Sequence, residues 1–354
     1  MRALLTIAIP TYNRAYDLAR LHSEFLKPAI DAFPDLLDIV VCDNSDEDEA
    51  NRNAAMLDPR VRHLVNTHNL GFAGNLLRCL AETKGEFVWI ISDNDSVDMT
   101  VFCRLIAQLP QTAEDGVRGV MLPFRTISEL GRPGISGTHE DWAVGRETTP
   151  REMMATAGKL PFILFSTVVI RADAAGQTEL AAEVGRTFED NHFLQVPLFL
   201  ALLGEEARMR FFEVPLQTYH AERVGRWDME ELANSLESAI EYAGEHGGNR
   251  RLLSNRYYRG WLILSLHHLY GPCLVLGADK YRAKLLAGLR KHPNPKDLVL
   301  CLALMLPAGL AKWPYLMWQA LLENRSGGAA GLGTIGTARE IDRQVTALRQ
   351  DLGR

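Results

Sequence analysis

Two carboxylates one residue apart, Asp93 and Asp95, close an apolar run, Phe87-Val88-Trp89-Ile90-Ile91-Ser92. A buried strand ending this way presents both acids at the C-terminal edge of a sheet, where α/β folds bind their ligands. Period-two alternation points them to one side, and a turn beginning there draws them closer. Two hard oxygen donors in one crevice suit Mg²⁺ or Mn²⁺, ions that share carboxylates with substrate phosphates. Taken alone, Asp-x-Asp reads equally well as a solvated turn.

Other groups able to do chemistry stand further along. Asp43 heads an acidic stretch to Glu49, which alone reads as a solvated loop. Glu189 and Asp190 precede an apolar, helix-like stretch at 193–203, where carboxylates gain from the helix dipole and free amides. His220 follows an apolar strand at 214–219; it reads as a third metal ligand, a phosphate contact or a structural histidine. Position six of each acidic stretch is aspartate (Asp48, Asp98), where an EF-hand needs glycine. There is no Walker lysine motif, and Asn69-Leu-Gly-Phe-Ala-Gly-Asn75 lacks the G-x-G-x-x-G pattern of hydride-transfer enzymes.

Local patterns set the elements that must position these groups. Residues 3–9 form a short apolar, partly β-branched run stopped by Pro10, and 15–29 carry apolar residues at helical spacing. Strands are expected at 37–42, 61–65, 87–92 and 164–170, with a helix from Gly71 to Lys84. Strands alternating with helices mean βαβ units, a parallel sheet and right-handed crossovers. Each strand ends in polar residues, so one sheet edge becomes a polar crevice.

Four motifs occur in order: Thr6-Ile-Ala-Ile-Pro-Thr-Tyr-Asn-Arg14, Ile39-Val-Val-Cys-Asp-Asn-Ser45, Asn69-Leu-Gly-Phe-Ala-Gly-Asn75 and Trp89-Ile-Ile-Ser-Asp-Asn-Asp95. Together they resemble the nucleotide-binding half of family 2, GT-A fold glycosyltransferases. The flavour is that of bacterial surface-polysaccharide enzymes such as abequosyl- and rhamnosyltransferase-like proteins. The resemblance is strong over 3–124, extends to about 220 and is thin beyond. It implies an α/β fold, Rossmann-like and mostly parallel, flanked by helices, with a C-terminal helical subdomain. It further implies that Thr11, Tyr12 and Arg14 line a base pocket, that Asp43 accepts a hydrogen bond from a pyrimidine, and that Asn75 sits near the nucleotide. Asp93 would stand by ribose and metal, Asp95 on the metal itself, and the cation would bridge the diphosphate. Relatives often carry Arg where this chain has Gly74. Asp190, with Glu189 second, would be the general base that an acceptor hydroxyl needs; one base and one metal imply inversion.

The expected activity is therefore metal-dependent, inverting, non-processive transfer from a nucleoside-diphosphate sugar to a polysaccharide or lipid-linked acceptor. Arg223 stands where processive synthases place Gln before Arg226-Trp227. Two alternatives are a catalytically silent sugar-nucleotide-binding protein and a sugar nucleotidyltransferase. The second usually needs an N-terminal Gly-rich basic loop, and residues 7–20 contain no glycine.

At 354 residues the chain can bury one large domain plus a helical piece. The expected division is 1–124 for nucleotide sugar, 125–227 for acceptor and catalysis, 228–324 helical, 325–337 a Gly-rich linker and 338–354 a terminal helix. Residues 125–150, rich in Gly, Thr and Ser, read as a flap. A net charge of −6 argues against nucleic acid. Five cysteines without C-x-x-C or zinc spacing, and a start that runs straight into a strand, fit a reduced cytoplasmic protein with no signal peptide. Pro307 and Pro314 split the apolar stretch 298–322 into two short helices. These pack together as a soluble subdomain or dimer interface, or lie at the inner membrane surface, where a lipid-linked acceptor would be found. The terminal helix would dock on the body or on a second copy.

Overall fold

A computed structural model describes residues 2–127, 146–156, 160–172, 177–220 and 229–253. The chain divides into two compact units, Met1–Leu252 and Leu253–Arg354. Both sheets and the helices packed on them belong to the first unit. The core of the expected flap, Arg223 with Arg226-Trp227, the paired apolar helices, the Gly-rich linker and the terminal helix lie outside the described residues.

Strand β1 (Leu5–Thr11) is buried on both faces, as its unbroken apolar run requires of a central parallel strand. It pairs in parallel with β2 (Leu37–Asp43) on one side and β4 (Phe87–Ile90) on the other; β3 (Arg62–Val65) continues beyond β2. The sheet then adds β9 (Val168–Arg171), β6 (Gly119–Met121), β10 (Met209–Phe211) and β8 (Glu147–Thr148). Strand β9 runs antiparallel to both neighbours and β8 antiparallel to β10, so the sheet is mostly parallel, as expected. A second sheet sets β5 (Ser96–Val97), β11 (Gln217–His220) and β7 (Phe124–Ile127) side by side.

The helix expected at 15–29 is continuous but not uniform. It comprises α1 (Ala15–Leu21), a π turn at His22–Leu26 and α2 (Lys27–Ala32). Further on come α3 (Glu47–Met56), α4 (Gly71–Ala81), α5 (Met99–Glu114), α6 (Pro150–Ala155), α7 (Gln177–Thr187), α8 (Gln195–Leu203) and α9 (Met229–Glu245). The acidic stretch after Asp43 is no plain solvated loop: Asp46 caps α3 by accepting from Glu49 N, and three acids fill its first turn. The strand expected at 164–170 is shortened at its start to a 3₁₀ turn, Phe165–Thr167. Helix α9 packs on α8, and Asn191 donates to Ser235 O, so the first unit extends past residue 227.

Phe25, Trp89 and Phe102 make the centre of the core between sheet and helices, each essentially inaccessible and in edge or stacked ring contact. Truncating Trp89 there would cost about 3–5 kcal/mol. No described helix is long and apolar enough to cross a membrane.

Candidate active site

Strand order puts β2 and β3 on one side of β1 and β4 on the other, so the chain reverses direction of travel across the sheet at β1. The crevice outside the C-terminal ends of β1 and β4 is thus a topological switch point. Pro10 helps to open it. The ladder to β4 ends where Ile91 N bonds Ala8 O, and the alternation that faces residue 8 to β4 also faces residue 10 there. Proline has no N–H to give, and no partner strand remains to want one.

Into this crevice β4 delivers Asp93-Asn94-Asp95 as a turn. Asp95 N donates to Ser92 O at 3.2 Å, and the Asp95 carboxylate accepts from Ser92 N at 3.3 Å and from the Ser166 hydroxyl. Asp93 accepts from Thr11 Oγ1 at 2.7 Å and from Arg14 Nη1 at 3.1 Å. Thr11 thus bridges β1 to β4. The guanidinium of Arg14 lies on the Asp93 carboxylate, with its ion pair at the crevice.

Both acids are almost wholly buried, and burial pushes each carboxyl up. For Asp93 the charge of Arg14 and the Thr11 hydroxyl pull the other way. Asp95 is pushed up to about 7, chiefly by burial and further by the charge of Asp93, against the bonds from Ser166 and Ser92. Its Oδ1 is buried with no hydrogen-bond partner. An anionic oxygen left open in this way, beside a second carboxylate and with no soft ligand, fits a hard divalent cation. Among the described residues no group of three or more His, Cys, Asp and Glu converges. Strand β11 runs antiparallel to β5 with Thr218 opposite Ser96; continued by two residues, that register carries the backbone of His220 toward the aspartate turn. The His220 side chain is outside what is described.

The neighbouring strand ends form a polar lattice. Asp43 is completely buried: Oδ1 accepts from Ser45 N at 2.8 Å, while Oδ2 is shared by Asn53 Nδ2 at 2.8 Å and His63 Nε2 at 2.9 Å. Burial pushes Asp43 up, but these bonds outweigh it and hold the carboxyl below its ordinary value. Both oxygens of the carboxylate expected to accept a hydrogen bond from a pyrimidine are bonded within the fold. Asn75 Nδ2 donates to Cys42 O at 3.0 Å, its Oδ1 accepts from Asn66 Nδ2 at 3.1 Å, and Asn66 also donates to Asn44 Oδ1 at 2.5 Å. Asn13, at φ 51°, uses the left-handed conformation that asparagine tolerates; its N–H donates to Ser45 Oγ and its Oδ1 accepts from Asp46 N. The turns after β1 and β2 are thereby laced together.

Tyr12 is half-exposed. At Gly74 an added Cβ would lie 2.7 Å from Leu70 Cβ, so Leu70 fills the space from which an arginine would start. Glu189 and Asp190 are exposed in the turn between α7 and α8 rather than in the first turn of α8. Hydrogen bonds gather Thr11, Arg14, Asn75 and Asp93, and Asp95 lies on the same turn as Asp93. Sequence reasoning missed Ser166, Asn66, Asn53 and His63. The polar residue ending each strand was the available signal for Asn66.

Residues 6–176 match the model of Glycosyl transferase family 2. No curated protein matches the sequence. Among solved structures, S. aureus TarS 1-349 superposes with a TM-score of 0.53 at 12% identity, covering 91% of this chain and 92% of that one. The same protein in complex with UDP-GlcNAc gives 0.55 at 12%, and in complex with UDP 0.52 at 13%, with the same coverage. At such identity the likeness speaks to fold. Taken with the family model matched over residues 6–176, it leads to one conclusion: the described fold is an α/β fold of GT-A type, and residues 6–176 are similar to Glycosyl transferase family 2.

Proposed function

We propose that the enzyme moves a sugar from a nucleoside diphosphate to a hydroxyl of a polysaccharide or lipid-linked glycan, one residue per visit, with inversion and with a divalent cation. The observation that carries this reading is the open, buried Oδ1 of Asp95 beside Asp93, at the crevice where such a fold binds its ligand. Asp95, with Asp93, would hold Mg²⁺ or Mn²⁺, and His220 is the candidate third donor. The bound cation supplies Lewis-acid stabilisation of charge on the departing diphosphate. Thr11 keeps Asp93 aimed by its hydroxyl, and Arg14 balances that carboxylate. Tyr12 offers an aromatic face to the base, while Asp43 and Asn75 brace the pocket wall from beneath. Asp190, or Glu189 beside it, takes the acceptor proton; both are solvent-facing acids free to meet an incoming hydroxyl.

TarS was solved with UDP-GlcNAc and with UDP, so uridine diphosphate sugars are the first donors to try. A deoxyhexose of surface-polysaccharide type is the second. The protein would work in the cytoplasm, at the inner face of the membrane if its acceptor is lipid-linked. Incubation with nucleotide sugars should release nucleoside diphosphate in a Mn²⁺-dependent manner. Absence of release with every donor, alongside intact nucleotide binding, would favour a silent binding protein.

A further inference from the structure

Arg20 belongs to α1 and has no part in the roles assigned so far, yet it touches the aspartate turn at three points. Its Nη1 donates to Ser96 Oγ at 2.5 Å, and its Nη2 to the carbonyls of Asn94 at 2.7 Å and Asp95 at 3.5 Å. Glu24, one helical turn on, steadies the guanidinium at 3.6 Å, and the side chain is only 23% exposed. The fork is planar and permanently charged, so it fixes acceptors at set spacing where a lysine would offer a single point.

Side-chain hydroxyls also brace the turn, Ser92 Oγ donating to Asn94 Oδ1 at 2.6 Å and Thr11 Oγ1 to Asp93 at 2.7 Å. The two main-chain N–H bonds between Ser92 and Asp95 are 3.2 and 3.3 Å long, at the far end of the useful range. Arg20 also differs in kind from Arg14. Arg14 takes up an oxygen of Asp93, whereas Arg20 grips main-chain carbonyls and leaves both carboxylates free.

We propose that Arg20 is a positioning residue that holds the Asp93–Asp95 turn in the shape a divalent cation needs, through the Asn94 and Asp95 carbonyls and the Ser96 hydroxyl. The inference rests on the proposed metal site. Partners of this sort, one step removed from a metal, typically change its affinity about 10- to 100-fold.

The test is titration of the full-length protein with Mn²⁺ alone, the free ion followed by electron paramagnetic resonance, well below each variant's melting temperature. Arg20→Gln should weaken Mn²⁺ binding by about 10-fold or more, with Arg20→Lys intermediate. A merely structural arginine would lower the melting temperature in EDTA without this graded loss of affinity in folded protein. If Arg20→Gln does not fold, Arg20→Lys decides, and a drop of about threefold is expected. Wild-type affinity in the folded Arg20 variants, while Asp95→Asn has lost the ion, overturns the inference and leaves the metal site standing. No Mn²⁺ binding by the wild type overturns both.

Discussion

Asp95→Asn should stabilise the metal-free protein at alkaline pH, by an amount that depends on pH in a defined way. Asp95 titrates near 7 in the folded chain, against 3.8 for an ordinary aspartate. A difference of about 3 pKa units is worth roughly 4 kcal/mol. Between about pH 4 and 7 the native protein holds a proton here that the unfolded chain has released, so stability falls as pH rises through that window. Below it both states are protonated, above it both are ionised, and the penalty is then complete and constant. Asparagine does not titrate. Its Nδ2 would face the position where Oδ1 now has no partner, at a cost of about 1 kcal/mol. The variant should therefore sit near the wild type at about pH 4 and be more stable by roughly 3 kcal/mol at about pH 8. Urea denaturation in EDTA across that range measures the gap, and Mn²⁺ should stabilise the wild type alone. A gap that is flat with pH, or a variant less stable than the wild type at the alkaline end, refutes the reasoning.

Asp43→Ala should cost about 3 kcal/mol, because it strands Asn53, His63 and the Ser45 amide; urea denaturation at neutral pH reads it. Since Asp43 is held below its ordinary value, its stabilising share should be complete above about pH 4 and fade as the pH drops through the folded pKa, seen as a shrinking gap to Asp43→Ala. Thr11→Val removes the hydroxyl from buried Asp93, and a loss of about 1–3 kcal/mol is expected in the same assay. Asp190→Asn should bind donor as the wild type does while transfer falls about 10²- to 10⁴-fold; unchanged turnover moves the base elsewhere.

The first four parallel strands, the helix beginning at Gly71 and the acidic turn were legible because each is a local pattern: an apolar run, a period, a polar stop. What stayed hidden depends on partners distant in sequence. Arg20 sits on an amphipathic helix, where a charge reads as the wet face; only the return of β4 beside α1 reveals the carbonyls it grips. Ser166 was absorbed into an apolar strand, though its carbonyl takes the Trp89 indole and its hydroxyl reaches Asp95. Asp43 looked free for a ligand because nothing local tells that Asn53 and His63 converge on it. The reversed direction of β9 was likewise beyond reach, since alternation along a strand is blind to its neighbour's direction.

The central claim is a cation held by Asp95 that in turn holds a diphosphate. Calorimetric titration of the full-length protein with UDP, with Mn²⁺ and then with EDTA, tests it most directly. Binding should weaken by about 10-fold or more when the metal is removed, and an Asp95→Asn variant should be indifferent to Mn²⁺. Equal UDP affinity with and without the metal, or a variant that responds to Mn²⁺ as the wild type does, would contradict it.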